Sequence, residues 1–296
     1  MAELGAIVER LERRLGAAAG PPVPLEGGIT NRNFRVHLGE RDYVLRLPGK
    51  DTELLGISRE AERIANGQAA RLGIAPEVAA GDESCLLTGY LDCEPIDADR
   101  LRAAPEGVAR ALRAFHDSGV QLPVTFWVPD LLDAYAEIVA QRGGELPADY
   151  EPTRALADRI AEVLPLSEPV PCHDDLLPGN LVTVGSEVML VDWEYAGMGH
   201  RMFDLGNLSV NNEFDHDADE RLLTAYFGES PTAGRRAALA LMRIMSDARE
   251  AAWGVVQGVI SELDFDFGAY AEKHFARLLG AAADRQLEEW FDAASP

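Results

Sequence analysis

A chain of 296 residues, 47% hydrophobic and 26% charged, has ordinary globular composition and room for two lobes around a cleft, which excludes a disordered or fibrous protein. Its 27 basic and 50 acidic residues leave a formal charge of −23, a surface that repels nucleic acid and anionic membranes and favours cationic partners. Lys50 and Lys273 are the only lysines, so a compositional bias explains the same charge equally well.

The first segment is helical: Leu4, Ile7, Val8, Leu11 and Leu15 share a face, and Gly20-Pro21-Pro22 is expected to end it. Glu3, Glu9 and Glu12 set it apart from a signal peptide. A hairpin follows, with Phe34, Val36 and Leu38 alternating, then Tyr43, Leu45 and Leu47, around Gly39-Glu40-Arg41. Ser58 caps a helix whose buried face is Ala61, Ile64, Ala65, Ala69 and Leu72. More strand leads to Leu86-Leu87-Thr88-Gly89-Tyr90-Leu91, and after Pro95 the pattern turns helical, with Val108, Leu112 and Phe115 on one face. The lobes are therefore expected to be residues 1–91 and 92–296. A small hairpin spans Leu181–Val184 and Val188–Val191, and the chain beyond Leu222 is mostly helical. No uncharged run approaches the roughly 18 residues of a membrane span. Cys85, Cys93 and Cys172 form no CxxC pair, so neither a zinc site nor a disulfide framework is indicated and a reducing cytoplasm fits.

Chemistry concentrates in Cys172-His173-Asp174-Asp175-Leu176-Leu177-Pro178-Gly179-Asn180 and Val191-Asp192-Trp193-Glu194-Tyr195. A His-x-Asp-x-x-x-x-Asn loop supplies a carboxylate to accept a proton, Asp175, and an amide oxygen for Mg²⁺, Asn180. Asp192, at the end of a predicted strand, supplies the second Mg²⁺ ligand. A lone Asp in a loop is more often a cap or turn residue; three partners in the right order point to phosphoryl transfer. His173 is expected to support the loop, and Asp174 to face solvent. Gly27-Gly28-Ile29-Thr30-Asn31 offers backbone amides, with Gly28, Thr30 and Asn31 as phosphate donors, although a Gly-Gly pair alone is a common turn. Arg46 points opposite to Leu45 and Leu47 and can clamp nucleotide phosphates. Glu62 is expected to hold it, with Glu60 as runner-up. Gly89-Tyr90-Leu91 occupies the place of a hinge that meets a nucleobase.

These residues resemble the choline/ethanolamine kinase group of the aminoglycoside-phosphotransferase-like superfamily. The resemblance runs from Gly27 to Phe34, through Tyr43-Val44-Leu45-Arg46-Leu47-Pro48-Gly49 and Cys172 to Asn180, to Val191 to Gly197 and Phe203-Asp204-Leu205-Gly206-Asn207. It implies an α+β, protein-kinase-like, two-lobed fold and Mg-ATP-dependent phosphorylation of a small-molecule hydroxyl. Asp175 is then the catalytic base, Asn180 and Asp192 hold Mg²⁺, Arg46 replaces the usual strand lysine, and Asp204 supports the loop.

By the same resemblance the stretch from Trp253 to Tyr270 helps to line a choline pocket. Choline has a fixed charge and no N–H, so aromatic faces and carboxylates are its binders. Tyr195, Trp253, Phe265 and Tyr270 are the aromatic candidates, with Glu194 nearby, although helical aromatics are more often core. Where many eukaryotic members carry an aromatic residue, Glu250 stands here. The expected substrate is a small cationic amino alcohol, choline first. Ethanolamine, an aminoglycoside, thiamine or an amino sugar are the alternatives, and a non-catalytic ATP- or amine-binding pseudokinase is the rival from another class.

Overall fold

Ile7 and Leu11 of helix α1 (Ala2–Leu15) are buried against one face of an antiparallel sheet, in a computed structural model that describes residues 2–25 and 31–295. The sheet has the order β1-β2-β3-β5-β4, from β1 (Val23–Leu25), β2 (Arg32–Leu38), β3 (Arg41–Leu47), β4 (Val78–Asp82) and β5 (Cys85–Gly89). Alternation puts Val36, Leu38, Tyr43, Leu45 and Leu47 into this core and leaves Arg46 on the other face, as the period of two requires. Helix α1 ends at Leu15, earlier than the Gly20-Pro21-Pro22 stop expected for it, because the chain must pass the β2–β3 turn. There Gly39 has φ +63°, and a Cβ on it would lie 2.4 Å from the Leu15 carbonyl oxygen, so only glycine fits.

Helix α2 (Arg59–Arg71) starts at Ser58, whose hydroxyl accepts the Ala61 N–H at 3.2 Å. Its inner residues Ala65 and Ala69 pack in the larger core together with Leu55 and Ile57, so α2 ties the sheet to the rest of the chain. Beyond β5 the chain runs through β6 (Glu94–Pro95), α3 (Ala98–Ala103), α4 (Glu106–His116), α5 (Val128–Gln141), α6 (Tyr150–Val163) and β7 (Val170–Cys172). It continues through β8 (Leu181–Val184), β9 (Glu187–Leu190), β10 (Gly197–Gly199), α7 (Arg201–Asn211) and α8 (His216–Phe227). The last elements are α9 (Ala233–Ile260), α10 (Phe267–Ala282) and α11 (Leu287–Ala294). Helix α9, 28 residues long, is the central column against which α5, α7, α10 and α11 pack. Strand β6 pairs with β8, so the chain has joined the helical lobe by Glu94.

The result is the α+β, protein-kinase-like architecture: a small antiparallel sheet with its helices, then a mostly helical lobe. Strand β5 stops at Gly89, two residues short of the expected Leu91. The three cysteines are free. Among the described residues no helix is long and apolar enough to cross a membrane.

Candidate active site

The loop after β7 is held by side chains from the first turns of α7. Asp204 accepts the backbone N–H of His173 at 2.9 Å and of Asp174 at 2.8 Å, and the Nε2 of His116 at 2.9 Å. Burial opposes its charge, but the His116 hydrogen bond and these donors prevail and keep the carboxyl below its usual range. Three residues on, Asn207 accepts the Leu176 N–H at 2.5 Å and donates to Ser246 Oγ of α9 at 3.0 Å. His173 is wholly buried, 4.5 Å from the Trp193 ring, with Nε2 3.0 Å from the Val191 carbonyl. It supports the loop and joins it to the segment after β9 that carries Asp192.

Asp174 does not face solvent as the sequence suggested. It is fully buried with φ +64°, and neither carboxylate oxygen has a hydrogen-bond partner. The alternation of a turn told nothing about the ceiling that β10 places over it, where Gly199 lies against Asp174 Oδ1.

Asp175, Asn180 and Asp192 come together. Asn180 Nδ2 donates to the Asp175 carbonyl at 2.8 Å and to Asp175 Oδ2 at 3.1 Å, which leaves its Oδ1 as an acceptor. The Val191 N–H donates to the Asn180 carbonyl at 3.0 Å, so Asp192 follows directly beside Asn180. Asp192 has φ +63°, a left-handed conformation that Asp tolerates better than most side chains. Burial pushes the Asp175 carboxyl up to about 8, against the pull of Arg249.

A web of arginines and carboxylates joins the two lobes. Arg46 Nη1 donates to Glu62 Oε1 at 2.8 Å and to Asp192 Oδ1 at 2.7 Å. Burial works against the Arg46 charge, but Asp192 and Glu62 outweigh it and raise its pKa above the ordinary value. Glu60 is exposed, so helix rotation selects Glu62 over the runner-up. Arg59, which the sequence reading passed over, donates to Glu62 Oε2 at 2.9 Å, Glu194 Oε2 at 3.2 Å, Asn31 Oδ1 at 3.2 Å and Thr52 Oγ1 at 3.0 Å. Its place one turn before Glu62 was the available signal. Asn31 Nδ2 adds a 2.8 Å bond to Glu194 Oε2, and burial beside Asp192 pushes the Glu194 carboxyl up to about 7. Gly28 and Thr30 lie outside the described residues.

Two cavities meet at this web. One, of about 430 Å³, is walled by Val44, Arg46, Leu86, Thr88 and the Gly89-Tyr90-Leu91 hinge. Within the hinge, the Gly89 N–H is bonded to the Glu77 carbonyl and the Tyr90 N–H to the Asp42 carbonyl. Leu91 follows on the same cavity wall. The second cavity, of about 250 Å³, is walled by Asp175, Glu194, Tyr195, Glu250, Trp253 and Tyr270. Gly179, Asn180 and Asp192 belong to both. A phosphoryl group passing from one cavity to the other would cross at these residues. Phe265 is absent from the second wall: it is 42% exposed and packs on Phe267 and Tyr270 outside it, because α10 begins two residues later and turns it outward. Trp253 Nε1 donates to Tyr195 Oη at 2.8 Å, and Tyr270 Oη to Glu250 Oε2 at 2.6 Å.

The profile of the phosphotransferase enzyme family matches residues 22–241, which span both cavities. The chain belongs to the phosphotransferase enzyme family. This phosphotransferase is 26% identical over 278 residues to protein LicA of Haemophilus influenzae, covering 89% of this chain and 79% of that one. It is 28% identical over 283 residues to ethanolamine kinase 2 of Rattus norvegicus, covering 84% and 72%. A choline/ethanolamine kinase family protein from Mesorhizobium loti has the same fold, with a TM-score of 0.81 at 29% identity over 97% of this chain and 98% of that one. These relatives agree with the resemblance read from the motifs.

The second arginine that the sequence reading passed over is Arg249 of α9. It is 2% exposed, donates to Asp175 Oδ1 at 3.1 Å and Glu250 Oε1 at 2.7 Å, and lies 4.3 Å from the centre of the Tyr195 ring. An Arg-Glu pair inside the apolar run Ala248 to Trp253 was its signal.

Proposed function

We propose that this small-molecule phosphotransferase transfers the γ-phosphoryl group of Mg-ATP to the hydroxyl of a small cationic amino alcohol of the choline and ethanolamine type. The observation that carries the reading is the junction of the two cavities at Gly179, Asn180 and Asp192, with Asp175 on the wall of the smaller one. In this reading residues 1–91 form the nucleotide lobe and residues 92–296 carry the catalytic and acceptor groups.

The residues present fit Mg²⁺. Asn180 Oδ1 is left as an acceptor once its amide nitrogen is committed to Asp175, and the Asp192 carboxylate adds hard oxygen at the same wall. Bound there, Mg²⁺ neutralises charge on the triphosphate. Arg46 holds the Asp192 carboxylate and, with Glu62 behind it, presents its guanidinium to phosphate oxygens. Asp175 orients the acceptor hydroxyl and takes its proton, while Arg249 and Asn180 fix the direction of its carboxylate.

The names of the relatives raise choline and ethanolamine as acceptors. The acceptor cavity, at about 250 Å³, lies below the roughly 300–1,000 Å³ of sites that enclose drug-sized ligands. This favours a small amine over an aminoglycoside. Turnover of Mg-ATP should be measured with choline, ethanolamine and a panel of aminoglycosides. Amine-dependent ADP release supports the reading; amine binding by calorimetry without ADP release would leave a binding protein instead.

A further inference from the structure

Arg249 places a fixed positive charge inside the cavity assigned above to a cationic alcohol. Its Nη1 donates to Asp175 and to Glu250, and its guanidinium carbon lies 4.3 Å from the centre of the Tyr195 ring. Its Nε and Nη2 are buried without a hydrogen-bond partner. Buried ion pairs with unpaired donors are often no better for stability than apolar packing. Stability alone therefore does not account for an arginine at this position.

Two chemistries can recognise a cationic alcohol. A quaternary ammonium has no N–H and relies on aromatic faces. A protonated amine that keeps N–H groups also donates to carboxylates, in charge-assisted hydrogen bonds. Tyr195 is compromised for the first on the face that Arg249 covers, where a second cation would meet the guanidinium already there. Glu250 suits the second. Each of its oxygens accepts one bond, from Arg249 and from Tyr270, and each retains a further lone pair. Trp253 and Tyr270 still flank the site, at 5.4 Å from each other. The cage is thus part aromatic and part carboxylate.

Resting on the amino-alcohol reading, we propose that Arg249 is a specificity-determining and positioning residue. It holds Asp175 toward the acceptor hydroxyl and, by covering Tyr195, reserves the cavity for amines that keep N–H groups, which Glu250 receives.

The test is kcat/KM with Mg-ATP across ethanolamine, N-methylethanolamine, N,N-dimethylethanolamine and choline. The expected result is a fall with each added methyl group, by about tenfold or more across the series. Choline used as well as ethanolamine overturns the inference while leaving the amino-alcohol reading intact. Turnover with none of the four removes both. Arg249→Met keeps length and uncovers Tyr195. It is expected to lower kcat with ethanolamine by about tenfold or more and to bring the KM values of choline and ethanolamine together; an unchanged KM ratio overturns the proposal. Loss of a buried charge can also unfold the chain, so Glu250→Gln gives an independent arm. It should raise KM for ethanolamine about tenfold and hardly move that for choline, and equal rises overturn the assignment.

Discussion

Arg46 Nη1 and Asp192 Oδ1 lie 2.7 Å apart although 146 residues separate them in the chain. The same nitrogen reaches Glu62 at 2.8 Å, so a strand of the sheet, helix α2 and the segment after β9 are fixed to one another by a single guanidinium. Glu62→Ala frees Arg46 on one side while Asp192 still holds it on the other. The expected outcome is a rise in KM for ATP of about tenfold, or roughly 1.4 kcal/mol, with amine KM nearly unchanged. Steady-state kinetics with each substrate varied in turn checks it, and equal losses for nucleotide and amine would contradict the role given to Glu62.

Asp175 lines the smaller cavity and its carboxylate bonds Asn180 and Arg249, whereas Arg46 bonds Glu62 and Asp192, so loss of Asp175 should separate chemistry from nucleotide binding. Asp175→Ala is expected to lower kcat by about 10²–10⁴-fold. Nucleotide affinity measured by calorimetry should stay within about threefold. Full turnover in this variant would remove Asp175 from the mechanism.

Asp174 is a buried carboxyl whose oxygens have no partner. Burial, and then the neighbouring Asp204, push its pKa well above the ordinary carboxylate value. A folded-state pKa raised in this way makes the native state hold a proton that the unfolded chain gives up. Its ionisation therefore costs nothing below the unfolded value of about 3.9 and destabilises increasingly as pH rises from there toward the folded-state value. Asparagine has the same shape, is neutral and tolerates φ +64°. Asp174→Asn is expected to raise stability by about 1–3 kcal/mol at neutral pH and hardly at all near pH 4. Thermal melts from pH 4 to pH 8 check it; a gain independent of pH would mean that the carboxyl stays in one protonation state throughout.

Gly206 lets α7 lie against α9. A Cβ there would be 2.6 Å from the Met242 carbonyl carbon, which is backbone and cannot yield as a side chain can. Gly206→Ala is expected to destabilise by about 1–3 kcal/mol and to loosen Asp204 and Asn207, which flank it and hold the loop. A lower melting temperature accompanied by a lower kcat is the predicted pair of results. An unchanged melting temperature would show that the helices separate without cost.

Local pattern was enough for much of this protein. The strand alternation that turns Arg46 away from Leu45 and Leu47, the cap at Ser58 and the helical face of Val108, Leu112 and Phe115 are short-range properties, set by pleat and helix period. The spacing of His173, Asp175 and Asn180 is also local, since one loop carries all three. What depended on the tertiary structure was every relation between charges on different elements. Arg59, Arg249 and the buried Asp174 were misjudged or missed because a charged residue reads as solvated until packing surrounds it. Phe265 failed for the opposite reason: its aromatic character gave no hint that the start of α10 leaves it outside the cavity wall. Periodicity tells which way a side chain leaves its own backbone. Only the packing of α9 against the loop after β7 decides which carboxylates share a cavity with an arginine, and so which cation that cavity will accept.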